Sequence, residues 1–201
     1  MNFDNRTILC EHKGTGRFMR TFVALDIDEN AKQKIAAFMA KAAALQTKGI
    51  KFVEDHNLHI TIKFIGDVPD QRVSALISSL GEIAVEPFEI CIKGSGGFPL
   101  KDRNPRVLWI GVEKNESLLQ LFDGVDRKLI CAGIPRDQKP FFPHLTIART
   151  KAEIENDLFD FIQSSKGKAF GMFKVKEFYL YKSELTGNGP VYSRIGTFPL
   201  I

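Results

Sequence analysis

Apolar and polar positions alternate over some stretches of this chain and recur at helical spacing over others, and the two periods together predict a mixed fold. Thr21-Phe22-Val23-Ala24-Leu25-Asp26 reads as a first strand, dense in β-branched and apolar residues. Asp28 is placed to cap a helix over Ala31–Gln46, in which Ile35, Phe38, Met39, Ala42 and Leu45 share a face. Gly49 ends that helix, Ile50–Val53 predicts a short strand, and His59–Ile65 a longer one that stops at Gly66. A second helix over Asp70–Ile83 buries Val73, Leu76, Ile77 and Leu80. Phe88–Lys93 is a strand, Gly94-Ser95-Gly96-Gly97 a flexible turn, and Val107–Val112 a further strand. A third helix over Ser117–Ala132 is closed by Gly133 and Pro135. Another strand passes through His144–Ile147, before a fourth helix over Ile154–Ser164. Strands at Phe170–Val175, Phe178–Ser183 and Val191–Phe198 follow, the last two joined at Gly187-Asn188-Gly189.

Short strands interleaved with four helices predict an α+β fold of two similar lobes. Two pseudo-symmetric, mostly antiparallel sheets face a central cleft, with helices on the outer faces. Residues 1–18 show no periodicity and read as a flexible leader, with Met19 a candidate natural start; residues 19–201 form one bilobal domain, since no low-complexity linker divides them.

Composition narrows the class without naming a function. The chain is 44% hydrophobic and 26% charged, an ordinary globular balance. A net charge of +4 suits a polyanionic ligand but falls short of a dedicated nucleic-acid coat. Cys10, Cys91 and Cys131 are odd in number and far apart, which predicts reduced thiols and a cytoplasmic location. No apolar run reaches the length of a membrane span, so no membrane partner is expected.

The chemistry concentrates in a tetrad that occurs twice. In Leu58-His59-Ile60-Thr61-Ile62, alternation puts His59 and Thr61 on one face and the isoleucines on the other. His144-Leu145-Thr146-Ile147 repeats the arrangement in the other half of the chain. Each tetrad offers an imidazole beside a hydroxyl, and two of them predict a pocket with two facing histidines. Imidazole titrates near pH ~6.5, so at neutral pH one histidine can accept a proton while the other gives one, as phosphodiester cleavage needs. Thr61 and Thr146 would hold the non-bridging phosphate oxygens. Neither tetrad carries a second histidine or a carboxylate at ligand spacing, and no cofactor or metal is expected. Arg149, just past the second strand, can reach a phosphate or stack on a base. Phe64 alternates onto the core face unless the strand bulges near Gly66. Lys63 alternates onto the pocket face or stands as a surface lysine, and Arg136 and Lys139 read as solvated loop charges or a basic rim.

On these residues the chain resembles the two-histidine phosphoesterase superfamily, and within it the bacterial RNA 2′,3′-cyclic phosphodiesterases, the LigT-like proteins once called 2′-5′ RNA ligases. Beyond the tetrads, the likeness rests on Arg20–Asp26, Asn57–Gly66, Pro105–Val112, Pro140–Arg149, Ser183-Glu184-Leu185, Gly189-Pro190-Val191-Tyr192 and Phe198-Pro199-Leu200. It spans Met19 to Ile201 and implies metal-independent hydrolysis of a terminal 2′,3′-cyclic phosphate to a 2′-phosphate. By motif position it implies His59 as acid toward the leaving 3′ oxygen and His144 as base for water. Thr61 and Thr146 then bind phosphate, and Phe64 and Arg149 contact the terminal base. The expected partners are RNA 3′ ends or small cyclic nucleotides, with the protein a monomer. Three readings compete: the cyclic phosphodiesterase; 2′-5′ ligation or another 2′-5′ or cyclic-nucleotide phosphodiesterase; and a non-enzymatic module that only binds a phosphorylated RNA end.

Overall fold

The structure is a computed structural model that describes residues 17–201 apart from Thr47, Lys101 and Asn188. Of the leader expected over residues 1–18, residues 1–16 lie outside the described residues, whereas Phe18 already belongs to the first strand.

In chain order the elements are β1 (Phe18–Asp26), α1 (Glu29–Leu45), β2 (Ile50–Phe52), a single 3-10 turn (Asp55–Asn57), β3 (His59–Pro69) and α2 (Asp70–Leu80). There follow β4 (Phe88–Phe98), β5 (Val107–Val112), α3 (Glu116–Cys131), β6 (His144–Thr150), α4 (Asn156–Ser164), β7 (Ala169–Val175), β8 (Glu177–Thr186) and β9 (Gly189–Pro199). Two of the helices open on a side-chain cap: Asp28 accepts from the Ala31 amide at 3.0 Å and opens α1. Asn115 does the same for Leu118 at 2.9 Å and opens α3.

Two glycine-based expectations are corrected. Gly66 does not stop β3 but lies within it at a positive φ of 84°, where the pairing with β1 skips a residue. The Gly94–Gly97 stretch is the second half of β4, not a turn. Gly94 bends the strand at φ 81°, and a Cβ there would come within 2.6 Å of the Lys166 carbonyl. The next residue, Ser95, donates its hydroxyl to the Ile162 carbonyl at 2.7 Å and ties the bend to α4.

The strands form two sheets, a four-stranded one in the order β3-β1-β8-β9 and a five-stranded one in the order β2-β6-β5-β4-β7, and every pairing is antiparallel. The lobes are therefore not simply the two halves of the chain. The first sheet is completed by the carboxyl-terminal β8 and β9, and the second takes its edge strand β2 from the amino-terminal half. One apolar cluster holds both, joining Val23, Leu25 and Ile60 of the first sheet to Ile90, Ile110 and Leu145 of the second. Helix α3 packs against a strand of each sheet, β3 and β4. A smaller cluster of Phe22, Ala24, Tyr179 and Tyr181 covers the other face of the four-stranded sheet, and Tyr192 leans on it.

Candidate active site

Both tetrads sit at the start of a strand, and their burial repeats position by position. His59-Ile60-Thr61-Ile62-Lys63-Phe64 and His144-Leu145-Thr146-Ile147-Ala148-Arg149 both run half-buried, buried, half-buried, buried, buried, exposed. Strict alternation would not bury two successive residues. The reason is a bulge in each strand: Ile62 is the extra residue between the Ala24–Thr61 and Val23–Lys63 pairs, and Ile147 is the extra residue between Trp109–Thr146 and Leu108–Ala148. Past each bulge the faces exchange. Phe64 and Arg149 thereby join the side of the sheet that carries the histidines and threonines.

Strands β3 and β6 belong to different sheets yet pass side by side, with Cα atoms within 8 Å. The two imidazoles are anchored alike. His59 Nδ1 lies 2.7 Å from the Asn57 carbonyl, and His144 Nδ1 lies 2.7 Å from the Phe142 carbonyl. A carbonyl oxygen only accepts, so each Nδ1 carries its proton and donates, which leaves Nε2 as the reactive nitrogen of both rings. Aromatic contacts hold the rings: His59 packs on Phe22 at 4.9 Å and edge-on to Tyr192 at 5.3 Å. His144 meets Phe98 edge-on at 5.0 Å.

Burial pushes the His59 imidazole below its ordinary value and outweighs the opposing pull of the Asn57 hydrogen bond and the Asp26 carboxylate; a charge on His144 pushes it further down. Burial also lowers His144, against its bond to Phe142, and the Arg149 guanidinium adds to the effect. Asp26 stands directly across from His59 in the β1–β3 pairing, and it accepts from the Tyr181 hydroxyl at 2.6 Å and from Arg194.

The chain matches the family model described as LigT like Phosphoesterase twice in tandem, over residues 25–109 and 110–192, once for each tetrad. The chain belongs to the LigT-like phosphoesterase family. Its relatives include a Methanocaldococcus jannaschii protein named RNA 2′,3′-cyclic phosphodiesterase, 40% identical over 178 residues, covering 88% of this chain and 98% of the relative. An Aquifex aeolicus protein of the same name is 35% identical and covers 92% of this chain and 98% of its own length. Among solved structures, a Thermus thermophilus protein at 30% identity superposes with a TM-score of 0.72, covering 90% of this chain and 98% of its own. Escherichia coli LigT complexed with 3′-AMP shares the fold at a TM-score of 0.75 and 24% identity, over 92% of this chain and 99% of that one.

Set within the LigT-like fold, the expected site residues fall as follows. His59 and Thr61 lie on β3 and His144 and Thr146 on β6, the two strands that pass side by side. Arg149 lies within β6 instead of just beyond it, exposed and paired with Lys51 on one side and Val107 on the other. Phe64 is 63% exposed and 6.0 Å from Phe22, so its apolar alternation does not take it to the core. Lys63 is neither a pocket nor a surface residue. It is 2% exposed, and its ammonium is bound to Asp126 at 2.9 Å and to Asp137 at 3.1 Å. Arg136 is not a free rim charge either, because its Nε donates to Asp126 at 2.7 Å. Three contributors were missed by sequence reading: the carbonyls of Asn57 and Phe142, the Phe22–Tyr192 seat under His59, and Asp26. The backbone carbonyls leave no side-chain signal, whereas the first strand's own alternation, Phe22-Ala24-Asp26, already puts Phe22 and Asp26 on one face. Among the described residues no three His, Cys, Asp or Glu side chains gather as a metal site, and no helix is long and apolar enough to cross a membrane.

Proposed function

We propose that this protein is a metal-independent phosphodiesterase that opens terminal 2′,3′-cyclic phosphates of RNA, or of small nucleotides, to 2′-phosphates. The observation that carries the reading is the pair of tetrads on neighbouring strands, each imidazole fixed through Nδ1 and the two within electrostatic reach of one another. Relatives at 30–40% identity bearing the name RNA 2′,3′-cyclic phosphodiesterase support it.

In this mechanism His144 Nε2 takes a proton from water as the oxygen attacks phosphorus. The bond from phosphorus to the 3′ oxygen breaks, and His59 Nε2–H supplies the proton that the departing oxygen needs. Thr61 and Thr146 hydrogen-bond the non-bridging oxygens and hold phosphorus between the rings. Phe64 and Arg149, brought to the same side by the two bulges, receive the terminal base by stacking. The reading also takes the unit from β1 to β9 as one catalytic domain, acting as a monomer in the cytoplasm with no cofactor.

The test is product analysis. An oligonucleotide ending in a 2′,3′-cyclic phosphate, incubated with the protein in excess chelator, is expected to end in a 2′-phosphate. Absence of turnover, or turnover only after metal is added, overturns the proposal. A 3′-phosphate product would remove His59 from its place at the 3′ oxygen.

A further inference from the structure

The two tetrads share a backbone but differ in what they bury. The position that follows the bulge is Ala148 in β6, fully buried and apolar, which costs nothing to enclose. In β3 the same position is Lys63, among the largest fully buried side chains described. Without a bulge, β3 would satisfy its own residues better: Lys63 would turn to the water of the cleft and Phe64 to the core. The observed strand reverses both preferences, with the ammonium enclosed and the phenyl ring 63% exposed. Something must compensate, and the partner is Asp126 of α3, itself 1% exposed, whose Oδ1 accepts from Lys63 at 2.9 Å. Arg136 and Asp137, from the loop that runs on toward His144, complete the cluster at 2.7 Å and 3.1 Å. A buried ion pair is a poor source of net stability against apolar residues of similar volume, but it specifies one arrangement over another.

We propose that Lys63 and Asp126 are positioning residues for the site: their buried pair holds the Ile62 bulge in β3, and the bulge keeps Phe64 in the cleft to meet the base of the substrate. The kinetic consequence rests on the reading of Phe64 as a base contact; the structural consequence does not. With Asp126→Leu the ammonium loses its enclosed partner, regular alternation returns Lys63 to water, and Phe64 withdraws. With Lys63→Met added, the position after the bulge becomes apolar, like Ala148, and the bulged strand is again the better arrangement.

The test compares a nucleoside 2′,3′-cyclic phosphate with methyl riboside 2′,3′-cyclic phosphate, which lacks a base. Asp126→Leu is expected to raise KM for the nucleotide about tenfold, the weight of one base–aromatic stack, with kcat and the baseless substrate little changed. Phe64→Ala in the Asp126→Leu background should add nothing further, because both changes remove the same contact. Lys63→Met with Asp126→Leu should bring KM back toward the parent. Additive effects of Phe64→Ala and Asp126→Leu, or equal losses on both substrates, overturn the proposal. A direct readout uses Phe64→Trp: its fluorescence should be open to acrylamide in the parent and protected with Asp126→Leu, and unchanged quenching overturns the proposal. Should Asp126→Leu not fold, Asp126→Asn is read the same way, with smaller shifts of the same sign expected and no shift decisive against. If Phe64→Ala alone leaves the nucleotide KM unchanged, the base-contact reading fails, and the quenching result still decides whether Asp126 positions residue 64.

Discussion

At the scale of single residues, the site depends on two imidazoles that are alike in anchoring and unlike in surroundings. Each gives its Nδ1 proton to a carbonyl two residues earlier, so either ring can exchange protons with substrate only through Nε2. Replacing His59 or His144 by Ala should each lower kcat by about 10²–10⁴-fold, the range for one positioned proton transfer, while far-UV circular dichroism stays unchanged. A variant near the parent rate would take that histidine out of the reaction. The pH dependence follows from the surroundings. Burial depresses both rings, so both titrate below the ordinary value of ~6.5. An acid–base pair turns over when one member is charged and the other neutral, which puts the peak of kcat/KM between the two values and hence on the acid side of ~6.5. Asp26 opposes the depression of His59. Asp26→Asn should therefore move the profile to still lower pH, and a measured shift to higher pH would show that its carboxylate does not act on the ring.

At the scale of elements, the two bulges decide which side chains serve the site. Arg149→Ala and Phe64→Ala should raise KM for nucleoside cyclic phosphates several-fold to tenfold and leave kcat within about threefold, since both groups are read as touching the base and not the phosphorus. A fall in kcat with KM unchanged would instead put Arg149 at the phosphate. This is also where the sequence stops being readable. The histidines and threonines were legible because a strand's period of two holds through the first four residues of each tetrad, and the apolar partners Ile60, Ile62, Leu145 and Ile147 are buried as that period requires. At the fifth residue the period breaks, and nothing in Ile62-Lys63-Phe64 announces it. Local preference there favours the wrong faces for both Lys63 and Phe64, and the carboxylates that offset it, Asp126 in α3 and Asp137 in the loop after it, lie far along the chain. Glycine was misread for a related reason. Gly66 and Gly94 mark places where a strand bends through a positive φ, whereas in isolation they look like strand ends.

At the scale of the whole molecule, the tandem match to one family model suggests two units, and the strand order shows that neither is self-contained. β1 is hydrogen-bonded to β3 on one side and to β8 on the other, and β8 and β9 come from the far end of the chain. Without them β1 becomes an open edge, and Phe22 and Ala24 lose the cover of Tyr179 and Tyr181. His59 loses more than stability, because Tyr192 of β9 is one wall of its seat and the Pro190 carbonyl accepts from the Asn57 side chain at 3.0 Å. The carboxyl-terminal hairpin thus helps to fix a histidine that lies in the other half of the sequence. Dividing the chain in the loop between β5 and α3 should give two fragments that each remain unfolded, since one lacks half of the four-stranded sheet and the other lacks the α1 surface that covers β7. Mixed together, the fragments should regain helix and strand signals by circular dichroism along with phosphodiesterase activity. An amino-terminal fragment that folds alone would mean that β1 and β3 do not need β8. In that case the seat of His59 would have to be complete without Tyr192, and Tyr192→Ala in the intact chain would leave the pH profile where it was.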